Sequence, residues 1–183
     1  DVDVFSTGTM REGRQFITSG WYADLTPLVN DPAATSAQWD KNDFIEAVWK
    51  AHQLAGRQVA VPVQANVQIL FYRKDLFDAA GLKPPQTLEE LEAAAKKLHN
   101  PPSVYGFVAR GRKTQAPYTW SHWLYANGGS WLTPDGKPGI NSPAAIAAAQ
   151  QYVRLLRTYG EPGVTDSGPI EVQSHFLQGR AAM

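Results

Sequence analysis

The sequence predicts an α/β fold, because strand-like and helix-like segments alternate along its 183 residues. Residues 59–63 and 67–72 are rich in β-branched and aromatic side chains, as strands are. Thr87 and Glu90 form a Thr-x-x-Glu capping box, which opens a helix with its leucines on one face. Strands that alternate with helices are typical of a mainly parallel sheet.

The remaining elements are predicted from hydrophobic period, capping residues and glycine stops. Ser142 and Pro143 supply an N-cap and a first-turn proline, and Gly160 follows the same helix. The other predicted strands cover residues 2–5 and 104–109. The other predicted helices cover residues 11–18, 42–54, 76–80, 120–126 and 170–178.

Composition excludes several classes of function. Seventeen basic and seventeen acidic side chains give a net charge of zero, so no overall field attracts the chain to nucleic acid or to a membrane surface. The 43% share of hydrophobic residues is that of a globular protein. No apolar run approaches the ~20 residues that span a bilayer. We therefore expect a globular domain or two small lobes without a nucleic-acid partner.

Motifs for catalysis, metal binding and cofactor binding are missing from the sequence. It has no cysteine, and its four histidines lack metal-ligand spacing. It also has no Gly-x-Ser-x-Gly elbow, no Walker A loop and no Gly-x-Gly-x-x-Gly turn. The densest acids, residues 89–92, fall in the first turn of a predicted helix, where negative charge is favoured anyway. We predict no catalytic residue, no metal and no cofactor.

Aromatic and uncharged polar residues are concentrated in residues 116–132, which read APYTWSHWLYANGGSWL. Aromatic rings pack against the C–H face of a sugar, while amides and hydroxyls bind its hydroxyl groups. Tyr118 and Trp120, expected just before or at a helix start, are candidate ligand contacts, as are Gly129 and Trp131 in the following loop. Alternatively, a helix over residues 120–126 buries these rings as core, which is what we expect of Trp123 and Leu124.

Two amides interrupt the strand-like run VAVPVQANVQILFYRKDLF, residues 59–77. Gln64 and Asn66 have no evident use inside a strand that crosses a core. They either bind a ligand or lie at a solvated bend, where an Asn side chain satisfies backbone groups. The residues themselves leave both interpretations open.

Five motifs in order resemble one family, the extracellular solute-binding proteins of ABC-type sugar importers, the maltose-binding-protein-like group. YRKDLF at residues 72–77 is similar to the family's YNKDLF, with Arg73 in place of Asn. PQTLEEL at 85–91 is similar to its P-x-T-W-x-E-L, with Leu88 where Trp is usual. PYTW at 117–120, the helix beginning NSPAAIAAA and the stretch FLQGRAAM at 176–183 complete the match.

The resemblance implies a bilobal type II periplasmic-binding-protein fold that closes by a hinge around its ligand. By that comparison residues 1–61 belong to the N-terminal lobe, and residues 62–183 belong to the C-terminal lobe after the first hinge crossover. Family members are longer than this sequence, so the resemblance also implies a partial chain.

The resemblance further implies ligand contacts from the loop after the first strand, here Thr7, Gly8 and Thr9. Gln64 and Asn66 match the first crossover, and Tyr118 matches a stacking tyrosine of the family. The implied protein binds a sugar outside the cytoplasmic membrane, in the periplasm or on a lipid anchor, and delivers it to membrane permease subunits.

The ligand class stays open at this point. A mono- or oligosaccharide, a polyol and a uronate all fit, and the basic run at residues 110–113 keeps anionic sugars among the candidates. Two other functions also remain. A glycan-active enzyme would require a pair of facing carboxylates, and a protein-interaction module would require a flat aromatic patch.

Overall fold

The computed structural model describes residues 2–183, and for Met10 the backbone alone. The chain divides into two compact units, Asp1–Val67 and Gln68–Met183. These units are defined by packing. The assignment of residues 1–61 and 62–183 to two lobes therefore stays a prediction.

The first unit contains short elements held by aromatic clusters. Trp39, Phe44 and Trp49 contact one another with ring centroids 5.2–6.2 Å apart. Phe16 contacts Phe5 at 6.0 Å in a second cluster. The elements are α1 (Thr9–Thr18), α2 (Thr26–Val29), a 3₁₀ turn (Lys41–Asp43), α3 (Glu46–Lys50), β1 (Gln53–Leu54) and β2 (Arg57–Gln58).

The predicted helix over residues 42–54 is wrong in its second half. The helical part, α3, ends at Lys50, and β1 and β2 form a two-stranded antiparallel hairpin. Ala55 and Gly56 connect the strands with φ values of 50° and 76°. A two-residue hairpin turn of this kind requires positive φ at both positions, so Gly56 serves the hairpin.

The second unit is mainly helical and has one continuous core. Its elements are α4 (Lys74–Ala79), α5 (Leu88–Leu98), α6 (Ala116–Ala126), α7 (Pro143–Tyr159), a 3₁₀ turn (Val164–Asp166) and α8 (Pro169–Leu177). The most deeply buried large side chains are Phe77 of α4 and Leu124 of α6. Helices α5, α6 and α7 surround the rest of this core, to which the segment around Phe107 also contributes.

Helix starts in this unit follow the predicted capping chemistry. Thr87 accepts a hydrogen bond from the Glu90 backbone N–H at 3.1 Å, and the Glu90 carboxylate accepts one from Gln86 N at 2.7 Å. In a standard capping box this carboxylate accepts from the backbone N–H of the N-cap residue. Here it accepts from Gln86, the residue before the N-cap. Ser142 caps α7 through the Ala145 N–H at 3.2 Å. The predicted starts of α5 and α7 are confirmed.

The buried segment 181–183 pairs with residues 105–108 in a short parallel arrangement. Tyr105 N donates to Arg180 O at 2.8 Å, and Ala182 N donates to Tyr105 O at 2.9 Å. On its other side, Ala182 O accepts from Arg73 N at 2.8 Å. The predicted strand 104–109 therefore exists as an extended segment with isolated bridges, without a continuous ladder.

Three other predicted strands are wrong. In the described part of the chain, no strand forms at residues 2–5, 59–63 or 67–72. An extended segment becomes a strand only when a neighbour accepts and donates its backbone hydrogen bonds. Among the described residues, no backbone N–H of residues 60–72 donates to another backbone group. Val63 and Val67 are accordingly 86% and 81% exposed.

One ion pair connects α5 to α7. Arg154 donates to both carboxylate oxygens of Glu92, at 2.9 and 2.6 Å. These hydrogen bonds lower the pKa of Glu92 below its ordinary value. Both side chains are partly solvated, so water and salt screen the pair and its stabilisation is small.

We expect Gly106→Ala to destabilise the second unit. A Cβ at residue 106 would lie 2.1 Å from the Ala95 carbonyl oxygen, so the extended segment and α5 would have to separate. Overpacking of this kind costs about 1–3 kcal/mol. Urea unfolding followed by circular dichroism measures the loss. The control Ser103→Ala changes an exposed residue of the same segment and should leave the midpoint unchanged, whereas an unchanged Gly106→Ala midpoint would contradict the close approach.

We expect Glu92→Gln to lower the thermal midpoint slightly at pH 7. The lowered pKa means that the folded state favours the ionised carboxylate. Its contribution is therefore present above the unfolded pKa of about 4.3 and disappears as the pH falls through the folded pKa. The difference from wild type should vanish in that acidic range. Glu89→Gln removes the same charge from the same exposed turn and should show a smaller difference, and equal effects would contradict the role of Arg154.

Candidate functional site

Helix α6 carries two of the predicted ligand contacts and begins earlier than predicted. It starts at Ala116, with Pro117 in its first turn, where a missing N–H costs nothing. Tyr118 thus lies in the first turn, as expected of a residue at the helix start, whereas Trp120 lies beyond that turn and its expected place at the start is wrong. Side chains two residues apart on a helix project about 200° apart. Tyr118, 39% exposed, and the half-buried Trp120 therefore face different sides.

Two core residues fix the rotation of α6. Trp123 and Leu124 are 6% and 0% exposed, as expected for core positions. The Trp123 ring lies 4.8 Å from the Tyr152 ring of α7. Near the end of α6, Asn127 donates to the Gln151 side chain at 2.8 Å. This packing leaves Trp120 at the edge of the core, partly solvated.

Trp131 lies on the loop that follows α6. Gly128 turns the chain with φ 75°, and Gly129 approaches α6 so closely that a Cβ would lie 2.5 Å from Leu124 Cδ1. Beyond the turn, Gly139 N donates to Trp131 O at 2.8 Å and closes the loop. Gly129 therefore has a packing role, whatever its part in ligand binding.

Trp120 and Trp131 form what we call the aromatic corner. Their ring centroids are 5.3 Å apart and the ring planes meet at 84°. The Trp131 indole N–H donates to Ser121 Oγ at 3.1 Å. Both rings are half-exposed, and they offer perpendicular apolar surfaces to C–H groups of a ligand. The Trp120 indole N–H is buried and has no acceptor among the described residues.

Three predicted contacts of the first unit lie at the start of α1. Gly8 is the N-cap residue, and no side chain caps the helix there. Thr7 is half-buried and its hydroxyl lies 3.4 Å from Glu12 Oε2. Thr9 is 5% exposed, so its side chain faces the interior. Of the three, Thr7 and Gly8 are accessible to a ligand in this structure.

Gln64 and Asn66 are both exposed, on the extended segment of the first unit. Gln64 Nε2 donates to Asn66 Oδ1 at 2.9 Å. This bond occupies one hydrogen-bonding group of each amide. The Gln64 oxygen and the Asn66 nitrogen remain available to solvent or a ligand. Among the described residues, the Asn66 side chain makes no hydrogen bond to the backbone, whereas the bend interpretation requires one.

Charged groups on the loop of Trp131 and in the basic run pair with neighbours. Asp135, on the loop of Trp131, accepts hydrogen bonds from Lys137 at 2.7 Å and Thr133 at 2.5 Å, and these bonds lower its pKa. In the basic run, Arg112 donates to Asp166 O at 3.0 Å and to Glu171 at 2.8 Å. Arg112 therefore fastens its loop to the start of α8.

Ser121 is the residue of the site that sequence reasoning missed. Its neighbours in sequence predict only a helix position, and its contact with Trp131 spans a turn and a loop. The sequence could indicate this pair only if the path of the loop between the two residues were known.

A cavity of about 160 Å³ lies elsewhere in the second unit, between α5, α6 and α7. It is lined by Leu88, Glu89, Glu92, Trp123, Gln151, Arg154 and Leu155. None of the predicted site residues is among them. Its polar lining includes Glu92 and Arg154, which are hydrogen-bonded to each other.

Residues 2–183 contain no group of three or more histidine, aspartate or glutamate side chains arranged to hold a metal ion. Within the same residues, no helix has the length and apolar character of a membrane span.

Relatives of the chain include proteins with assigned ligands. The mannitol-binding protein of Pseudomonas aeruginosa is 28% identical over 186 residues, which cover 99% of this chain and 41% of that protein. A solute-binding protein of Agrobacterium radiobacter, solved in complex with ribitol, is 38% identical with a TM-score of 0.78, over 91% of this chain and 42% of that one. One of Agrobacterium vitis, solved with D-mannitol, is 26% identical with a TM-score of 0.69, over 93% and 41%.

The chain spans about two fifths of the length of these relatives. The structural matches confirm the predicted α/β, type II periplasmic-binding-protein fold, of which these residues form a part. A sequence model of the bacterial extracellular solute-binding proteins matches residues 1–183 in full. The chain therefore belongs to the family of bacterial extracellular solute-binding proteins.

Proposed function

We propose that this chain is part of the substrate-binding component of an ABC-type importer and that its ligand is a polyol or a neutral sugar. The observation that carries the proposal is the aromatic corner, two half-exposed rings at 84° on a rigidly packed helix and its following loop. The ribitol complex at 38% identity and the mannitol-binding relative support a polyol as the first candidate.

The pairing of Asp135 and of Arg112 with neighbouring groups favours an uncharged ligand over a uronate. Asp135 is paired with Lys137, and Arg112 is occupied by Asp166 and Glu171. The groups that remain for hydroxyls are hydroxyl, amide and backbone groups, which can donate to and accept from each hydroxyl of a polyol.

Affinity in such a site comes from two sources. C–H groups of the ligand displace water from the faces of Trp120 and Trp131. Tyr118 faces another side of α6 and is proposed as a separate ligand contact. Hydrogen bonds then give specificity. A ligand that leaves a buried polar group of the site without a partner binds less tightly, because that group has lost its hydrogen bonds to water. Thr7, Gly8, Thr9, Gln64, Asn66 and Gly129 stay candidates for these polar contacts.

A binding role without chemistry is supported by the state of Asp135, the acid on the loop of Trp131. A general acid for glycoside cleavage requires a carboxyl group with a raised pKa. Hydrogen bonds from Lys137 and Thr133 lower the pKa of Asp135, so it is ionised at neutral pH and cannot donate a proton. The family consists of binding proteins. We accordingly propose that the ligand is released unaltered.

The remaining parts of the proposal rest on the family. Importer-associated binding proteins work outside the cytoplasmic membrane and deliver ligand to permease subunits. Location in the periplasm or on a lipid anchor, and docking to a permease, are therefore proposed for this protein as well.

Titration calorimetry of the protein with ribitol, D-mannitol and maltose tests the function. At least one polyol should bind, and chromatography should recover it unchanged. Tyr118→Ala and Trp131→Ala should each weaken binding by about 1–3 kcal/mol, the range for loss of a buried aromatic contact.

Tyr125→Ala is the matched control. Tyr125 is an exposed tyrosine on α6, two turns beyond Tyr118, and its loss should leave affinity unchanged. Absence of binding to all three compounds, or a hydrolysed or oxidised product, would overturn the proposed function. Wild-type affinity in both Tyr118→Ala and Trp131→Ala would overturn the role of these rings.

A further inference from the structure

We propose that Ser121 is a positioning residue that sets the orientation of Trp131 and so preforms the aromatic corner. This inference rests on the proposed function for its effect on ligand binding. Its structural part, the tether between a helix hydroxyl and a loop indole, can be tested without a ligand.

Ser121 Oγ makes two hydrogen bonds with defined directions. It donates to Pro117 O, one turn back along α6, at 2.7 Å. It accepts from the Trp131 indole N–H at 3.1 Å. The first bond occupies the hydroxyl proton and leaves the oxygen lone pairs for the indole, and the two bonds strengthen each other.

The backbone of the loop leaves the ring of Trp131 unspecified. Gly139 N bonds Trp131 O, which fixes the main chain, and the flanking residues Ser130 and Leu132 are exposed. Among the described residues, the hydrogen bond to Ser121 is the one that the Trp131 side chain makes. Ring orientation therefore depends on this bond, on the perpendicular contact with Trp120 and on the packing of the Trp131 ring against the core.

Trp120 cannot supply the same constraint from its own side. Its indole N–H has no acceptor in the described chain, and the ring is held by packing against the core. Both rings pack against the core, and Trp131 is additionally tethered through its indole N–H. Removal of the tether should widen the range of orientations that the Trp131 ring adopts against that packing.

The expected consequence is a loss of preorganisation. A free Trp131 side chain would have to be ordered again when ligand binds, and ordering one large side chain weakens binding by about three- to tenfold. The contact surface itself would remain, so the effect should be smaller than that of Trp131→Ala.

The test compares Ser121→Ala with Ser121→Thr. Threonine keeps a hydroxyl that can bond the carbonyl one turn back in a helix, so it should restore what alanine loses. In the ligand-free protein, hydrogen exchange of the Trp131 indole N–H, followed by NMR, should be faster in Ser121→Ala and near wild type in Ser121→Thr. Titration with ribitol and D-mannitol should show the three- to tenfold loss in the alanine variant alone.

Ser130→Ala is the matched control, because it removes a hydroxyl next to Trp131 that bonds Leu132 O and does not contact the indole. It should leave indole exchange and affinity unchanged. Unchanged indole exchange in Ser121→Ala would overturn the tether. Faster exchange with wild-type polyol affinity would overturn the positioning role and leave the proposed function intact. If wild-type protein binds none of ribitol, D-mannitol and maltose, the proposed function and the positioning role fail together, while the exchange result still decides the tether.

Discussion

Trp123 of α6 is buried against α7, and the arrangement of the site depends on this contact. Its ring packs against Tyr152 and Phe107, and Leu124 beside it is fully enclosed. Side chains follow one another by about 100° around a helix, so two buried positions fix the direction of all the others. Trp120 is thereby placed at the margin of the core, and Ser121 is placed where the loop carrying Trp131 returns. The aromatic corner is a consequence of ordinary core packing.

The chemistry of the site follows from what that packing leaves exposed. The corner presents apolar rings, Asp135 on the loop of Trp131 is paired with Lys137, and Arg112 is paired with Glu171 of α8. A surface of this kind recognises a ligand through C–H packing and neutral hydrogen bonds. This agrees with membership of a solute-binding family whose solved members include complexes with ribitol and D-mannitol.

Sequence reasoning succeeded where the signal is local. Thr87 and Ser142 cap their helices through neighbouring N–H groups, so their short-range pattern was enough to predict both starts. It failed for residues 59–72, because extended segments need a hydrogen-bonding neighbour that their own sequence cannot specify. The sequence pattern places the start of α6 at residue 120, because it does not distinguish a first-turn proline at Pro117 from a loop proline. The order of the five motifs predicts the family. The Ser121–Trp131 contact cannot be predicted in the same way, because it depends on the path of a loop.

A crystal structure of the protein with ribitol tests the central claim most directly. The account predicts the polyol chain packed against the faces of Trp120 and Trp131, with the Trp131 indole still bonded to Ser121. Ribitol bound at a site that excludes both rings would contradict it, and so would a bound state in which the two rings no longer meet near a right angle.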